Sequence, residues 1–402
     1  MMIKTNTPNK WLILCLSGLT NALVVAAPGM SMSVLFKEIS TELNLSLVQV
    51  GLIWGLSALP AIFTGLLAGM AGDRYGPRRI ILLGSIIIGL AGACRGLANS
   101  FFTLTLSAIS VGLFTPMVIM NTVKTCGIWF PSQQLGLANG VLSMGMASGF
   151  LVGSFFSATY LSPLLGGWRN VFYFYGALAA LISIPWIFTP NSPEAVRKPQ
   201  TDNAVTSMRE SVLHVSRLKN IWLLGMVIMG ISGCVQGTLG YLPLYLRNLG
   251  WQPIYADGAL STFHTVSMIC VLPIALWSDK LGSRKKLLIT MAALLMSGIG
   301  LLSIVDGVIV WFAVSMAGFV RDGFMAIFMT MIVETDGVGP LFTGTATGFV
   351  MIFSGLGNLF APPLGNKLEQ IKPGIPFIFW SFLAMISIAF LTMTKERKPA
   401  ES

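Results

Sequence analysis

The chain has 402 residues, of which 54% are hydrophobic and 10% charged, and its formal net charge is +10. Water-soluble chains carry roughly 25% charged residues, so a soluble domain is excluded, and the basic balance is a matter of membrane topology and not of nucleic-acid binding. Five scattered cysteines (Cys15, Cys94, Cys126, Cys234 and Cys270) with no Cys-x-x-Cys pair support neither a metal centre nor a disulfide framework.

Apolar runs long enough to cross a hydrocarbon core of about 30 Å recur twelve times, at about 11–36, 47–70, 79–99, 102–128, 135–158, 168–189, 219–246, 255–278, 285–305, 308–333, 341–364 and 374–394. Before the first run stand only Lys4 and Lys10, with no small-residue cleavage site, so the first run reads as a retained helix. The long polar stretch Pro190 to Lys219 separates the sixth run from the seventh. The expected organisation is therefore an N-terminal six-helix bundle (1–189), a cytoplasmic linker (190–218) and a C-terminal six-helix bundle (219–402).

With both termini inside, 17 of the 25 Lys and Arg residues fall on the inner side and six on the outer side, leaving Lys124 and Arg321 within spans. Such an excess of cations marks the cytoplasmic face. The expectation is a multi-pass protein of the cell (inner or plasma) membrane.

The turn between the second and third runs reads Gly69-Met-Ala-Gly-Asp73-Arg74-Tyr-Gly76-Pro77-Arg78-Arg79. Half a chain later the pattern returns as Ala275-Leu-Trp-Ser-Asp279-Lys280-Leu-Gly282-Ser283-Arg284-Lys285, with Asp73 and Asp279 206 positions apart. Gly76 and Gly282 supply the backbone freedom of a tight reversal, and the cations hold each turn on the water side. A second echo joins Gly136-Leu-Ala138-Asn-Gly140, opening the fifth run, to Gly344-Thr-Ala346-Thr-Gly348, opening the eleventh. Small residues continue through both runs: Gly145, Ser148, Gly149 and Gly153 in one, Ser354, Gly355 and Gly357 in the other. At helical spacing they let helices approach closely in lipid.

The pattern Gly-x-x-x-Asp-Arg-x-Gly-x-Arg-Arg resembles the loop 2–3 motif of the major facilitator superfamily of secondary transporters. Residues 69–79 match it at each defining position, and the second copy departs in having Ala275 in place of the first glycine. The resemblance implies an all-α membrane protein of twelve transmembrane helices in two pseudo-symmetric six-helix bundles. It implies alternating access, with the two turns (Gly69, Asp73, Arg74, Gly76, Arg78, Arg79; Asp279, Lys280, Gly282, Arg284, Lys285) as conformational motifs. It further implies a monomer in the lipid bilayer, and a central cavity lined by the first, fourth, seventh and tenth helices. Polar residues there become candidate substrate contacts: Asn21, Thr115, Asn121, Gln236, Tyr241 and Arg321.

Enzyme signatures are absent: there is no His-Glu-x-x-His, no Gly-x-Ser-x-Gly and no phosphate loop, so neither an enzyme nor an ATP-driven pump is expected. No cofactor or metal is implied. Arg321 lies about 20 Å along the tenth run, near mid-membrane, where an arginine costs at least ~2.5–3.5 kcal/mol to insert. Two readings follow. Arg321 is an anion-binding guanidinium, or it pairs internally with Asp322, the neighbour that points about 100° away on a helix. Asp322 and His264 are the candidate proton carriers, and a buried structural histidine is the other reading of His264. Lys124 and Glu334 end the fourth and tenth runs at the interface, with Lys124 open to a second role as an inner gate or anion contact.

The leading functional expectation is a small-anion transporter that takes up its substrate with protons. The run Trp129-Phe130-Pro131 through Gly136-Leu-Ala-Asn-Gly140 resembles a stretch found in the nitrate/nitrite, cyanate and organic-anion branches of the superfamily. Two departures from those branches are the missing Asp-Arg pair in the first run and the missing Gly/Asn-rich nitrate signature. The alternative is a proton-coupled drug or metabolite exporter, which the proline-free Gly145-Met-Ala-Ser-Gly149 disfavours. A receptor would call for a large soluble output module, and the linker and tail are short for one.

Overall fold

The computed structural model describes residues 10–189, 208–280 and 283–395, and every regular element among them is a helix. In chain order these are α1 (Lys10–Glu42), α2 (Leu47–Ala58), α3 (Pro60–Tyr75), α4 (Pro77–Ala93), α5 (Phe101–Trp129), α6 (Ser132–Phe156) and α7 (Trp168–Ser183). They continue with α8 (Met208–Ser216), α9 (Lys219–Asn248), α10 (Pro253–Lys280), α11 (Arg284–Leu301), α12 (Val308–Val333), α13 (Gly339–Lys367) and α14 (Ile375–Met393). Ten helices among the described residues are long and apolar enough to cross a membrane. Helices α10 and α11, of 28 and 18 residues, occupy the other two expected spans.

Local chemistry sets the boundaries. Helix α2 starts at Ser46, whose hydroxyl accepts from the Gln49 amide while the Gln49 side chain accepts from the Ser46 amide, a capping box. Helix α5 begins with the same device at Ser100 and Thr103. The second run is interrupted at one residue, Leu59, whose backbone stays helical (φ −62°, ψ −46°) while Pro60 brings no N–H to the hydrogen-bond ladder. Helix α3 then runs on through Asp73 and Arg74 to Tyr75, so these two motif residues sit in its last turn and the reversal itself begins at Gly76. Gly76 has φ of +86° and Pro77 opens α4, a left-handed glycine followed by a ring already set for the first helical turn.

Packing repeats between the two halves of the sequence. A Cβ on Gly145 would lie 2.5 Å from the Gly18 carbonyl oxygen, and Cβ atoms on Gly149 and Gly153 would overlap the backbone of Ala22 and Ala27. The small face of α6 is thus pressed onto α1. Correspondingly, Gly357 of α13 abuts the Met229 carbonyl of α9, and Ser232 and Ser354 hydroxyls meet at 2.7 Å across the same pair. Large apolar side chains such as Phe102, Leu164, Phe188 and Val308 are exposed, as helices facing acyl chains require.

The chain divides into two compact units, Met1–Glu38 with Phe63–Asn203, and Ile39–Ile62 with Ala204–Ser402. Helix α2 therefore groups with the second unit although it lies in the first half of the sequence. Gly51 abuts the Pro362–Pro363 backbone, Gly55 abuts Asn358 and Leu359, and the Asn366 amide donates to the Leu47 carbonyl at 2.9 Å.

Candidate substrate site and turn motifs

In the first unit the polar candidates hold helices together. Asn21 opens a π-helical stretch of α1, Asn21–Ala26, and its buried Oδ1 accepts from the Thr122 hydroxyl of α5 at 3.2 Å. Asn121, fully buried, donates to the carbonyls of Ala68 on α3 (3.1 Å) and Met117 on its own helix (2.9 Å). Its Oδ1 rests against Gly72, where a Cβ would collide with it. Thr115 is half-buried and returns its hydroxyl to the Val111 carbonyl at 2.8 Å.

Within the second unit, Gln236 is half-buried on α9 and its backbone carbonyl accepts from the Trp54 indole of α2 at 2.8 Å. Tyr241, 1% exposed, belongs to an aromatic cluster with Tyr245, Phe377 and Trp380, and its hydroxyl donates to the Pro373 carbonyl at 3.1 Å. Helices α10 and α12 cross closely, because Gly318 lets the Phe263 backbone approach and Gly323 receives Ile274. That crossing brings four polar side chains into one neighbourhood. Arg321 Nη1 lies 3.2 Å from Asp322 Oδ1, with the two side chains 19% and 32% exposed. Asp322 Oδ2 accepts from the Ser267 hydroxyl at 2.7 Å. His264, one turn before Ser267 and fully buried, is within electrostatic reach of Arg321.

Ser267 was not foreseen. Hydroxyls in apolar spans commonly bond the carbonyl one turn back, as Thr238 does to Cys234, and nothing in the sequence sets Ser267 apart. A second omission is Asp257, near the start of the eighth span. Both of its oxygens lie 2.7 Å from Arg247 Nη2, with side chains 7% and 0% exposed. The Arg247 side chain is buried at the end of α9. Arg95 likewise is 3% exposed, donating to the Pro28 carbonyl at 3.2 Å and lying over the Phe172 ring.

At the first turn, Asp73 is ion-paired with Lys124 of α5, which also donates to the Gly69 carbonyl at 3.2 Å. Arg78 donates to the carbonyls of Trp186 (2.8 Å) and Ile187 at the end of the sixth span. The Arg74 guanidinium lies over the Tyr75 ring, and Arg79 is exposed. At the second turn, Lys285 donates at 2.7 Å to the carbonyls of Thr392 and Thr394 at the end of the twelfth span, and Arg284 pairs with Glu334 at 2.8 Å. The side chains of Asp279 and Lys280, and Gly282 altogether, lie outside the described residues. Each turn thus binds its hairpin to the carbonyl end of one helix and to a charged residue closing another.

Comparison with known proteins agrees with this architecture. The sequence pattern of the Major Facilitator Superfamily matches residues 11–362. The probable nitrate/nitrite antiporter NarK1 of Thermus thermophilus is 26% identical, over 97% of this chain and 92% of that protein. Multidrug resistance protein 2 of Bacillus subtilis (strain 168) is 21% identical, over 89% of this chain and 88% of that protein. Among solved structures, a bacterial homologue of the human lysosomal transporter Spinster, inward-facing and occupied, superposes with a TM-score of 0.79 at 17% identity, over 97% of this chain and 98% of that one. The chain belongs to the major facilitator superfamily, as an all-helical, multi-pass integral membrane transporter.

Proposed function

We propose that this transporter moves a small inorganic or organic anion by alternating access, in symport with protons, with Arg321 as the anion site. The observation that carries the reading is a guanidinium about 20 Å along a membrane-crossing helix, 19% exposed and in contact with the Asp322 carboxylate. A charge at that depth is costly unless it has work to do, and a planar fork of donors suits an oxyanion or carboxylate. Similarity to a nitrate/nitrite antiporter supports an anionic substrate. Asp322, paired with Arg321, and His264 on α10 are the proposed proton carriers, and Gln236 of the same unit is a proposed substrate contact. The halves 1–189 and 219–402, joined by 190–218, are the proposed moving bodies, with both termini cytoplasmic in the cell membrane.

The test is a thermal-shift screen of the purified protein in detergent against nitrate, cyanate, acetate and succinate, wild type beside Arg321→Gln. A ligand at 100 times its dissociation constant stabilises the folded state by about 2.7 kcal/mol. One anion class shifting wild type and not the variant is the expected result. Uptake of that anion into proteoliposomes should then rise when the interior is made alkaline. If no anion shifts either protein, the anion reading falls. Likeness to a multidrug resistance protein favours the second reading, a proton-coupled exporter, which predicts shifts by bulky apolar compounds that Arg321→Gln leaves in place.

A further inference from the structure

Arg321 has its own carboxylate, and that carboxylate is held from a second helix. Asp322 Oδ1 faces the guanidinium at 3.2 Å while Oδ2 accepts from Ser267 on α10 at 2.7 Å. The contact is reciprocal, since the Asp322 amide donates back to Ser267 Oγ at 3.2 Å. Adjacent side chains on a helix diverge, so an unanchored Asp322 has no geometric reason to turn toward Arg321. The hydroxyl divides the carboxylate: one oxygen is kept by serine and one is left for the arginine.

A second pair in the same unit shows what a permanent contact looks like. Both oxygens of Asp257 lie 2.7 Å from Arg247, and both side chains are almost wholly buried. The Arg321–Asp322 contact engages one oxygen, is longer, and leaves the side chains 19% and 32% exposed. It is built to be displaced.

We propose that Asp322 is the resident counter-ion of Arg321, that Ser267 is the positioning residue that keeps it in place, and that an anionic substrate binds by exchange with the Asp322 carboxylate. The inference rests on the reading of Arg321 as the anion site. With no substrate present, Asp322 offsets the guanidinium charge within the span. When an anion takes the guanidinium, the released carboxylate keeps the Ser267 hydroxyl and is not stranded. Apparent affinity is then reduced by the fraction of molecules in which Asp322 occupies Arg321.

The experiment measures binding of nitrate, cyanate, acetate and succinate to the purified full chain. Asp322→Asn removes the competing charge and keeps an acceptor for Ser267, so binding should tighten by about tenfold. Ser267→Ala unanchors Asp322, lowers the fraction of molecules in which it occupies Arg321 and should tighten binding by about fivefold, with Ser267→Thr restoring wild-type affinity. If Asp322→Asn binds no more tightly while Arg321→Gln abolishes binding, the exchange is wrong and Arg321 remains the anion site. Should Arg321→Gln bind as wild type does, or should no anion bind any of the proteins, the anion reading falls and takes the exchange with it. If Asp322→Asn does not fold, the Ser267 pair decides. Tightening by alanine with return to wild-type affinity in threonine supports the exchange, and wild-type or weaker binding in the alanine variant overturns it.

Discussion

Helices α5 and α12 occupy matching places in the two halves of the sequence, and Thr115 and Arg321 stand 206 positions apart in them. At the first position a threonine returns its hydroxyl to its own helix. At the second, a guanidinium meets a carboxylate anchored from α10. Around these positions the scaffold repeats: α6 presses small residues onto α1 as α13 does onto α9, and Arg78 and Lys285 each cap the last carbonyls of a half's final span. Even the pairs behind the turns repeat with reversed polarity, Lys124 meeting Asp73 from α5 and Glu334 meeting Arg284 after α12. What recurs is the packing and the turns. The Arg321 guanidinium has no counterpart at Thr115.

That contrast can be broken in several places. The largest effect should come from Arg321→Gln, with anion binding weakened about 100-fold, since truncating one partner of a charge contact costs 2–5 kcal/mol or more; an equal loss from Thr115→Val would erase the asymmetry. Next are Gly149→Ala and Gly357→Ala, whose Cβ atoms would meet the Ala22 and Met229 carbonyls. Each should destabilise by about 1–3 kcal/mol through overpacking, read as a fall in melting temperature in detergent, and similar losses in the two halves would confirm that the close packing is shared. Arg78→Met and Lys285→Met should each cost only about 0.3–1 kcal/mol, the worth of a cation at a helix C-terminus. A large loss at one and none at the other would show that the turns are alike in sequence alone. Thr115→Val should be smallest, within about 0.5 kcal/mol and without effect on anion binding.

Much of the frame was legible in the residues. Bilayer thickness forces long apolar runs, and the repeated Asp-x-x-Gly spacing of the turns marks where they reverse, as the positive φ of Gly76 bears out. The one-residue interruption at Leu59 is marked in the sequence by Pro60, whose missing N–H hydrophobicity alone does not register. The site was legible only in part. Arg321 and Asp322 announce themselves as charges inside an apolar run, and the structure pairs them. Ser267 did not stand out, because one hydroxyl among many gains meaning only from the rotation of α10 against α12. Tyr241, chosen for its place on the seventh span, faces an aromatic cluster, and Asp257 and Arg247 join across a helix boundary that no local pattern reveals.

The sequence by itself determined the class of protein, the number of crossings expected and the places where charge enters the apolar runs, because these follow from transfer costs counted residue by residue. Tertiary structure alone decided which side chains meet. Helix rotation and crossing distance, set by glycines such as Gly318 and Gly323, placed Ser267 against Asp322, and no single helix carries that information.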